Sequence, residues 1–106
     1  MFARKVSMHL KSPGGLEFKQ KMENEVLPLL RKQNGFLEEI TFLYSSGKEV
    51  HAFSVWETAE HAKAYNRGTY PQVAKILASV VEGTPRVQTY EVLTSTLQKT
   101  LAALSA

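Results

Sequence analysis

The chain has 106 residues, 43% of them hydrophobic and 22% charged, a globular composition that excludes a disordered chain and leaves room for one packed core. Lys and Arg number 13 against 10 Asp and Glu, and this net charge of +3 is spread without a basic run interleaved with aromatics, so no nucleic-acid partner is expected. Cysteine is absent, which excludes disulfides, thiolate catalysis, iron–sulfur clusters and thiolate zinc sites; no apolar run is long enough for a signal peptide or a membrane span, so the expectation is one cytoplasmic domain over residues 1–106 with no membrane association.

Residues Phe2 to Leu10 alternate, with Phe2, Arg4, Val6, Met8 and Leu10 on one face and Lys5, Ser7 and His9 on the other, the period of a strand. Ser12-Pro13-Gly14-Gly15 supplies a candidate N-cap and a proline for a first turn. Phe18, Met22, Val26, Leu29 and Leu30 then recur at helical spacing up to Asn34-Gly35, predicting a helix from about Leu16 to Gln33. Pro28 lies inside it, where it deletes the bond to the Asn24 carbonyl and is expected to bend the axis.

Phe36–Tyr44 and Glu49–Trp56 read as two strands joined by Ser45-Ser46-Gly47-Lys48, a hairpin. Thr58 caps a short helix to about Arg67, Gly68 breaks the run, and Thr69-Tyr-Pro-Gln72 restarts it in capping-box form. Val73, Ile76, Leu77, Val80 and Val81 give the clearest helical stripe in the chain, with Gly83-Thr84-Pro85 as its stop. Arg86 to Thr94 alternates as a last strand, and Leu97, Leu101 and Leu104 predict a helical tail over residues 95–106.

The order β-α-β-β-α-β with right-handed crossovers gives an α+β, ferredoxin-like subunit: an antiparallel sheet in the order 4-1-3-2 with helices on one face. The other face stays open and carries His51, Phe53, Val55, Tyr90 and Val92. Two such faces meeting would remove this apolar set from water, so a symmetric homodimer is expected.

Trp56 ends the third strand where sheet meets helices, and Ala52 and Ser54 share its face; side chains that small beneath a helix layer outline a pocket. The tryptophan either stacks an aromatic ligand there or is core. Tyr65, Asn66 and Tyr70 cluster around Gly68, as polar groups at a cleft mouth or as lids on the core. Arg4 either enters the pocket from the first strand to meet an anionic substrate or emerges at the sheet edge. His9 and His51 fall on neighbouring strands without a recognisable ligand beside them, so no metal is expected, and His61 lies on an exposed helix where solvation is expected.

The element order, the run Phe53-Ser54-Val55-Trp56-Glu57 with its following helix, and the segment Val26-Leu27-Pro28 through Phe36 resemble the antibiotic biosynthesis monooxygenase family of the dimeric α+β barrel superfamily, over Phe2 to about Thr94. The resemblance implies a small aromatic substrate, hydroquinone or polyketide-like, held between helices and sheet and oxygenated without metal, flavin or other cofactor. It implies a pocket-lining role for Trp56; Arg4, Ser54, Tyr65, Asn66 and Tyr70 complete the expected binding set on the residues' own reading. Heme-degrading relatives carry a first-strand asparagine where this chain has Arg4 or Lys5, and an axial histidine on the second long helix that it lacks, so heme degradation is not expected. Quinone-forming relatives carry an asparagine four residues before the tryptophan and a tyrosine six after it; Ala52 and Ala62 stand there, which leaves a non-catalytic, ligand-binding or partner-binding homodimer as the alternative.

Overall fold

A four-stranded antiparallel sheet forms the frame of the protein, seen in a computed structural model that describes residues 1–97. Its strands are β1 (Phe2–Leu10), β2 (Phe36–Leu43), β3 (Glu49–Trp56) and β4 (Val81–Glu91), in the spatial order β2-β3-β1-β4. This is the expected order read from the other edge. Helices α1 (Leu16–Lys21) and α2 (Leu27–Arg31), with a π-helical segment Met22–Val26 between them, and α3 (Ala59–Gly68) and α4 (Tyr70–Leu77) complete the described elements. The tail predicted over 95–106, with Leu101 and Leu104, lies mostly outside the described residues.

The alternation of β1 decides which face is covered. Arg4, Val6, Met8 and Leu10 are buried, and they meet Phe18, Met22, Val26 and Leu30 from the first helical run and Val73 and Leu77 from α4. Each such aliphatic contributes about 1.5–3 kcal/mol on leaving water, so this layer supplies the main driving force for docking the helices.

Pro28 does not lie inside one continuous α-helix, as the periodicity had it. Leu27 N–H bonds back to the Met22 carbonyl, a five-residue reach, and Pro28 falls in the first turn of α2, where a missing N–H costs nothing. The π turn thus absorbs the defect, and the run ends at Arg31. Ser12 does not cap α1 either: Gly15 occupies the N-cap with φ of 71°, a left-handed conformation suited to glycine. At the α3 start the prediction holds, with Thr58 Oγ1 accepting from His61 N–H at 3.2 Å. The His61 ring is not simply solvated, because a Cβ on Gly35 would overlap it, so glycine there admits the imidazole.

Two further boundaries differ from the periodicity. Thr69 forms no capping box; its hydroxyl donates instead to Gln33 Oε1 at 3.2 Å, tying the α3–α4 joint to the end of the first helical run. Gly83-Thr84-Pro85, taken as a helix stop, lies inside β4, which starts at Val81. His9 pairs with Glu82 while Ser7 pairs with Arg86, so an enlarged bulge holds these residues, with Gly83 at φ of 71°. A bulge tolerates both a left-handed glycine and a proline without an N–H. Among the described residues no helix is long and apolar enough to cross a membrane.

Candidate functional site

Cross-strand register lays the site floor in rows. Arg4 pairs with Ser54 and Ser54 with Glu39, so these three side chains form one row across β1, β3 and β2 on the helix-covered face. Val6, Ala52 and Thr41 form the next row by the same rule. Because Ala52 and Ser54 are small, a cavity of about 60 Å³ remains between floor and helices, as the sequence suggested. Tyr65, Tyr70, Met22 and Leu30 are among the residues that close it from above, and Pro85 of the β4 bulge closes its side.

Arg4 stands in the cavity wall and not at the sheet edge. The residue is 3% exposed, and Nη2 donates to Asn66 Oδ1 at 2.7 Å. Its guanidinium carbon sits 4.2 Å from the centre of the Tyr70 ring and 5.2 Å from that of Tyr65, a double cation–π contact. Among the described residues no Asp or Glu comes within 4 Å of it. Burial lowers its proton affinity and the two tyrosines oppose that shift, but an arginine remains charged. The site therefore holds a buried cation whose neighbours are neutral.

Burial pushes the Tyr65 hydroxyl up to about 12, with Arg4 only partly countering, and it raises Tyr70 in the same way. Both act as neutral phenols at physiological pH. Tyr65 and Tyr70 line the cavity, whereas Asn66 does not: it lies in an outer cleft of about 160 Å³ with Phe2, Lys63 and Thr89, which Arg4 also borders. Arg4 thus separates the inner cavity from that cleft.

Trp56 is set behind the cavity wall and not in it, a correction to the pocket-lining reading. It is 0% exposed, packs edge-on against Phe36 with ring centres 5.6 Å apart, and lies 4.9 Å from the Tyr65 ring. Its indole N–H donates to Ser54 Oγ at 2.9 Å, so the tryptophan orients a hydroxyl that does reach the cavity. The pocket outline was right; the large aromatic is its backing.

Glu39 was not singled out from sequence. Its carboxylate accepts from Thr41 Oγ1 at 2.6 Å, and burial raises its pKa while that hydrogen bond pulls it back. Glu39 and Met22 also border a second cavity of about 330 Å³ lined by Gly14, Lys19 and Leu43 among others, so these two side chains form part of the partition between the spaces. The adjacent Glu38-Glu39 pair must place one carboxylate on each face, but the bulge between Phe36 and Glu38 shifts the phase and hides which one turns inward.

On the open face, His51 Nε2 lies 2.9 Å from Glu49 Oε2 and its Nδ1 3.3 Å from the Tyr44 hydroxyl, while His9 Nδ1 is 4.0 Å from Glu49 Oε1. The expected absence of a carboxylate beside these histidines is thus corrected: Glu49 shares a strand face with His51 two residues on, a spacing that was visible in the sequence. No group of three or more His, Cys, Asp or Glu among the described residues is arranged to hold a metal.

No family model matches the chain, and no curated protein is significantly similar to it in sequence. Solved structures are similar in fold. A Bordetella bronchiseptica protein provisionally assigned as an antibiotic biosynthesis monooxygenase superposes with a TM-score of 0.72 at 11% identity, covering 88% of this chain and 98% of that one. SnoaB, a cofactor-independent oxygenase from Streptomyces nogalater, gives 0.71 at 11% identity over 90% and 95%. A Streptomyces coelicolor monooxygenase, solved with the ligand nanaomycin D, gives 0.66 at 19% identity over 89% and 92%. This chain has the ferredoxin-like fold of the solved antibiotic biosynthesis monooxygenases, as the resemblance in its sequence implied.

Proposed function

We propose that the protein is a cofactor-independent monooxygenase whose substrate is a small hydroxylated aromatic, bound between helices and sheet with its ionised oxygen against Arg4. The observation that carries this reading is the buried guanidinium, with no Asp or Glu among the described residues within 4 Å, in the wall of an otherwise largely apolar cavity. Holding an unpaired charge out of water costs several kcal/mol, and an anionic ligand offsets that cost. Tyr65 and Tyr70 line the same space. A phenolate or enolate is electron-rich enough to reduce oxygen itself; at an anthrone-type methylene the net change is CH2 + O2 → C=O + H2O, with all electrons drawn from the substrate. The cofactor-independent oxygenase and the monooxygenase solved with nanaomycin D, both of the same fold, support the reading.

A second reading, a homodimer that binds a ligand without turning it over, is favoured by Ala52 and Ala62 at the two departures from the quinone-forming pattern. Either reading must fit its ligand to a cavity of about 60 Å³, whereas sites for drug-sized ligands span roughly 300 Å³ or more. A polycyclic substrate requires Met22, a flexible side chain, to swing aside and join the cavity to its neighbour.

Trp56 fluorescence tests the proposal, because the indole lies 4.9 Å from Tyr65 on the cavity wall. Anaerobic titration with 1,8-dihydroxyanthrone is expected to quench it saturably, and Arg4→Met is expected to weaken that binding about 100-fold, the loss of a buried charge partner. Oxygen uptake with the same compound, without added flavin or metal, completes the test. Quenching without uptake selects the second reading, and no quenching sinks both for this ligand class.

A further inference from the structure

We propose that Glu39 accepts the hydroxyl proton of the ligand that Arg4 holds, so that the cavity is a two-ended site: a cation for the anion, and a carboxylate for the proton. This rests on the proposed binding of a hydroxylated aromatic at Arg4 and adds a residue to it. The register sets the geometry. Arg4, Ser54 and Glu39 occupy one row, with Ser54 between the other two, so Arg4 and Glu39 start about 10 Å apart at the backbone and face the same cavity. Their charges are not paired with each other, since among the described residues no Asp or Glu comes within 4 Å of the guanidinium. A small ring lying over Ser54 spans the gap.

The step balances as ArOH plus the Glu39 carboxylate giving ArO⁻ plus the Glu39 carboxylic acid: one O–H bond breaks at the ligand and one forms at Glu39. Net charge in the cavity does not change. What changes is the arrangement, because an anion separated from Arg4 is replaced by one in contact with it, and Coulomb attraction is strong where water is excluded. Burial at Glu39 works in the same direction by favouring its protonated form, while Thr41 Oγ1 orients the carboxylate.

The other ionisable groups leave Glu39 as the acceptor. On the cavity side it faces Arg4, Tyr65 and Tyr70, a cation and two phenols that are neutral at physiological pH. The wall from the π segment, α2 and α4 consists of Met22, Val26, Leu30, Val73, Ala74 and Leu77, none of which titrates. On its other side lies the larger cavity with Lys19 and Glu23, which sit 3.9 Å from each other. That opening gives the proton a way out after each cycle.

The test is a proton inventory with 4-nitrophenol, a phenol that ionises near neutral pH and whose phenolate is yellow. Calorimetric titrations in buffers of different ionisation enthalpy count the protons exchanged on binding. Above the phenol's own ionisation, wild type is expected to take up about one proton per phenolate bound, and Glu39→Gln none. Below it, wild type exchanges none and Glu39→Gln releases about one. Thr41→Val, which removes a hydrogen bond favouring the carboxylate, is expected to extend the uptake to higher pH and serves where Glu39→Gln does not fold. In turnover, Glu39→Gln is expected to lose about 100-fold or more in kcat at low pH and to recover as the substrate ionises unaided. Binding that needs Arg4 but shows the same inventory in wild type and Glu39→Gln overturns the role of Glu39 alone. Absence of binding to wild type overturns it together with the Arg4 site.

Discussion

The two faces of the sheet are built from the same strands and differ in what covers them. On one, Val6, Met8, Leu10 and Val50 lie beneath helices and are almost fully buried, and among the described residues the charged side chains in the inner cavity wall are Arg4 and Glu39. On the other, register gathers Val55, Phe53 and His51 of β3 with Ile40 and Phe42 of β2 and Tyr90 of β4, and no described element covers them. Ile40 is 45%, Phe42 52% and Tyr90 42% exposed. An open face that gathers these apolar side chains among polar ones calls for a second cover, and the helices of one chain cover only the other face. The contrast also separates roles: the covered face encloses charge in a small cavity, while the open face offers area.

A homodimer through the open face is the largest consequence to test. Light scattering on a sizing column is expected to give twice the chain mass of 11.9 kDa. Val55→Lys, which puts a charge on the open face between Ala3 and Glu38, where burial in an interface takes it out of water, is expected to shift the protein to monomer at micromolar concentration. A monomeric wild type would show that the open face has no second copy as its cover.

Within the covered face, the contrast sharpens between backing and lining. Trp56→Phe removes the indole bond to Ser54 and part of a filled volume, and is expected to cost about 1–3 kcal/mol of stability by chemical denaturation. Because Trp56 lies behind Ser54 and Tyr65, the affinity for 4-nitrophenol is expected to change by less than about threefold. A loss comparable to that of Arg4→Met would put the indole in contact with the ligand after all.

Periodicity made most of the frame legible. Alternation in Phe2–Leu10 put Arg4 on one face with Val6 and Met8 but left its side chain open between pocket and sheet edge, and the turn at Ser45–Lys48 fixed the hairpin. What failed did so where backbone irregularity changes the phase. The β4 bulge turned a Gly-Thr-Pro stop signal into strand, and Val80 and Val81, read as the end of a helical stripe, are buried on the way into that strand. The π segment split the expected single helix, and its Met22 became a partition residue. Trp56 was placed on the right strand face, but which of two adjacent large aromatics touches the cavity depends on how Tyr65 stacks from α3, a tertiary fact that no strand pattern contains. Glu39 was hidden by one bulged residue, Leu37.

The smallest expected effect concerns the cost of holding Glu39 on the covered face. Burial raises its folded-state pKa above the unfolded value of about 4.3, so between the two the folded chain binds more protons. Its contribution is therefore most favourable below the unfolded pKa and is lost as pH rises through the folded one. At neutral pH the carboxylate is a burden, and the Thr41 hydrogen bond only partly offsets it. Glu39→Gln keeps the shape and an acceptor oxygen for Thr41 while removing the charge, so it is expected to raise stability at pH 7 by about 1 kcal/mol or less, up to roughly 5 °C in Tm for a chain of this size. The gap between variant and wild type is expected to close as pH falls below 4, where both side chains are neutral. Melting curves across that range decide it: a gap that widens in acid would mean that Glu39 is held by a favourable charge partner, and with that the picture of two unpaired charges facing one cavity would fall.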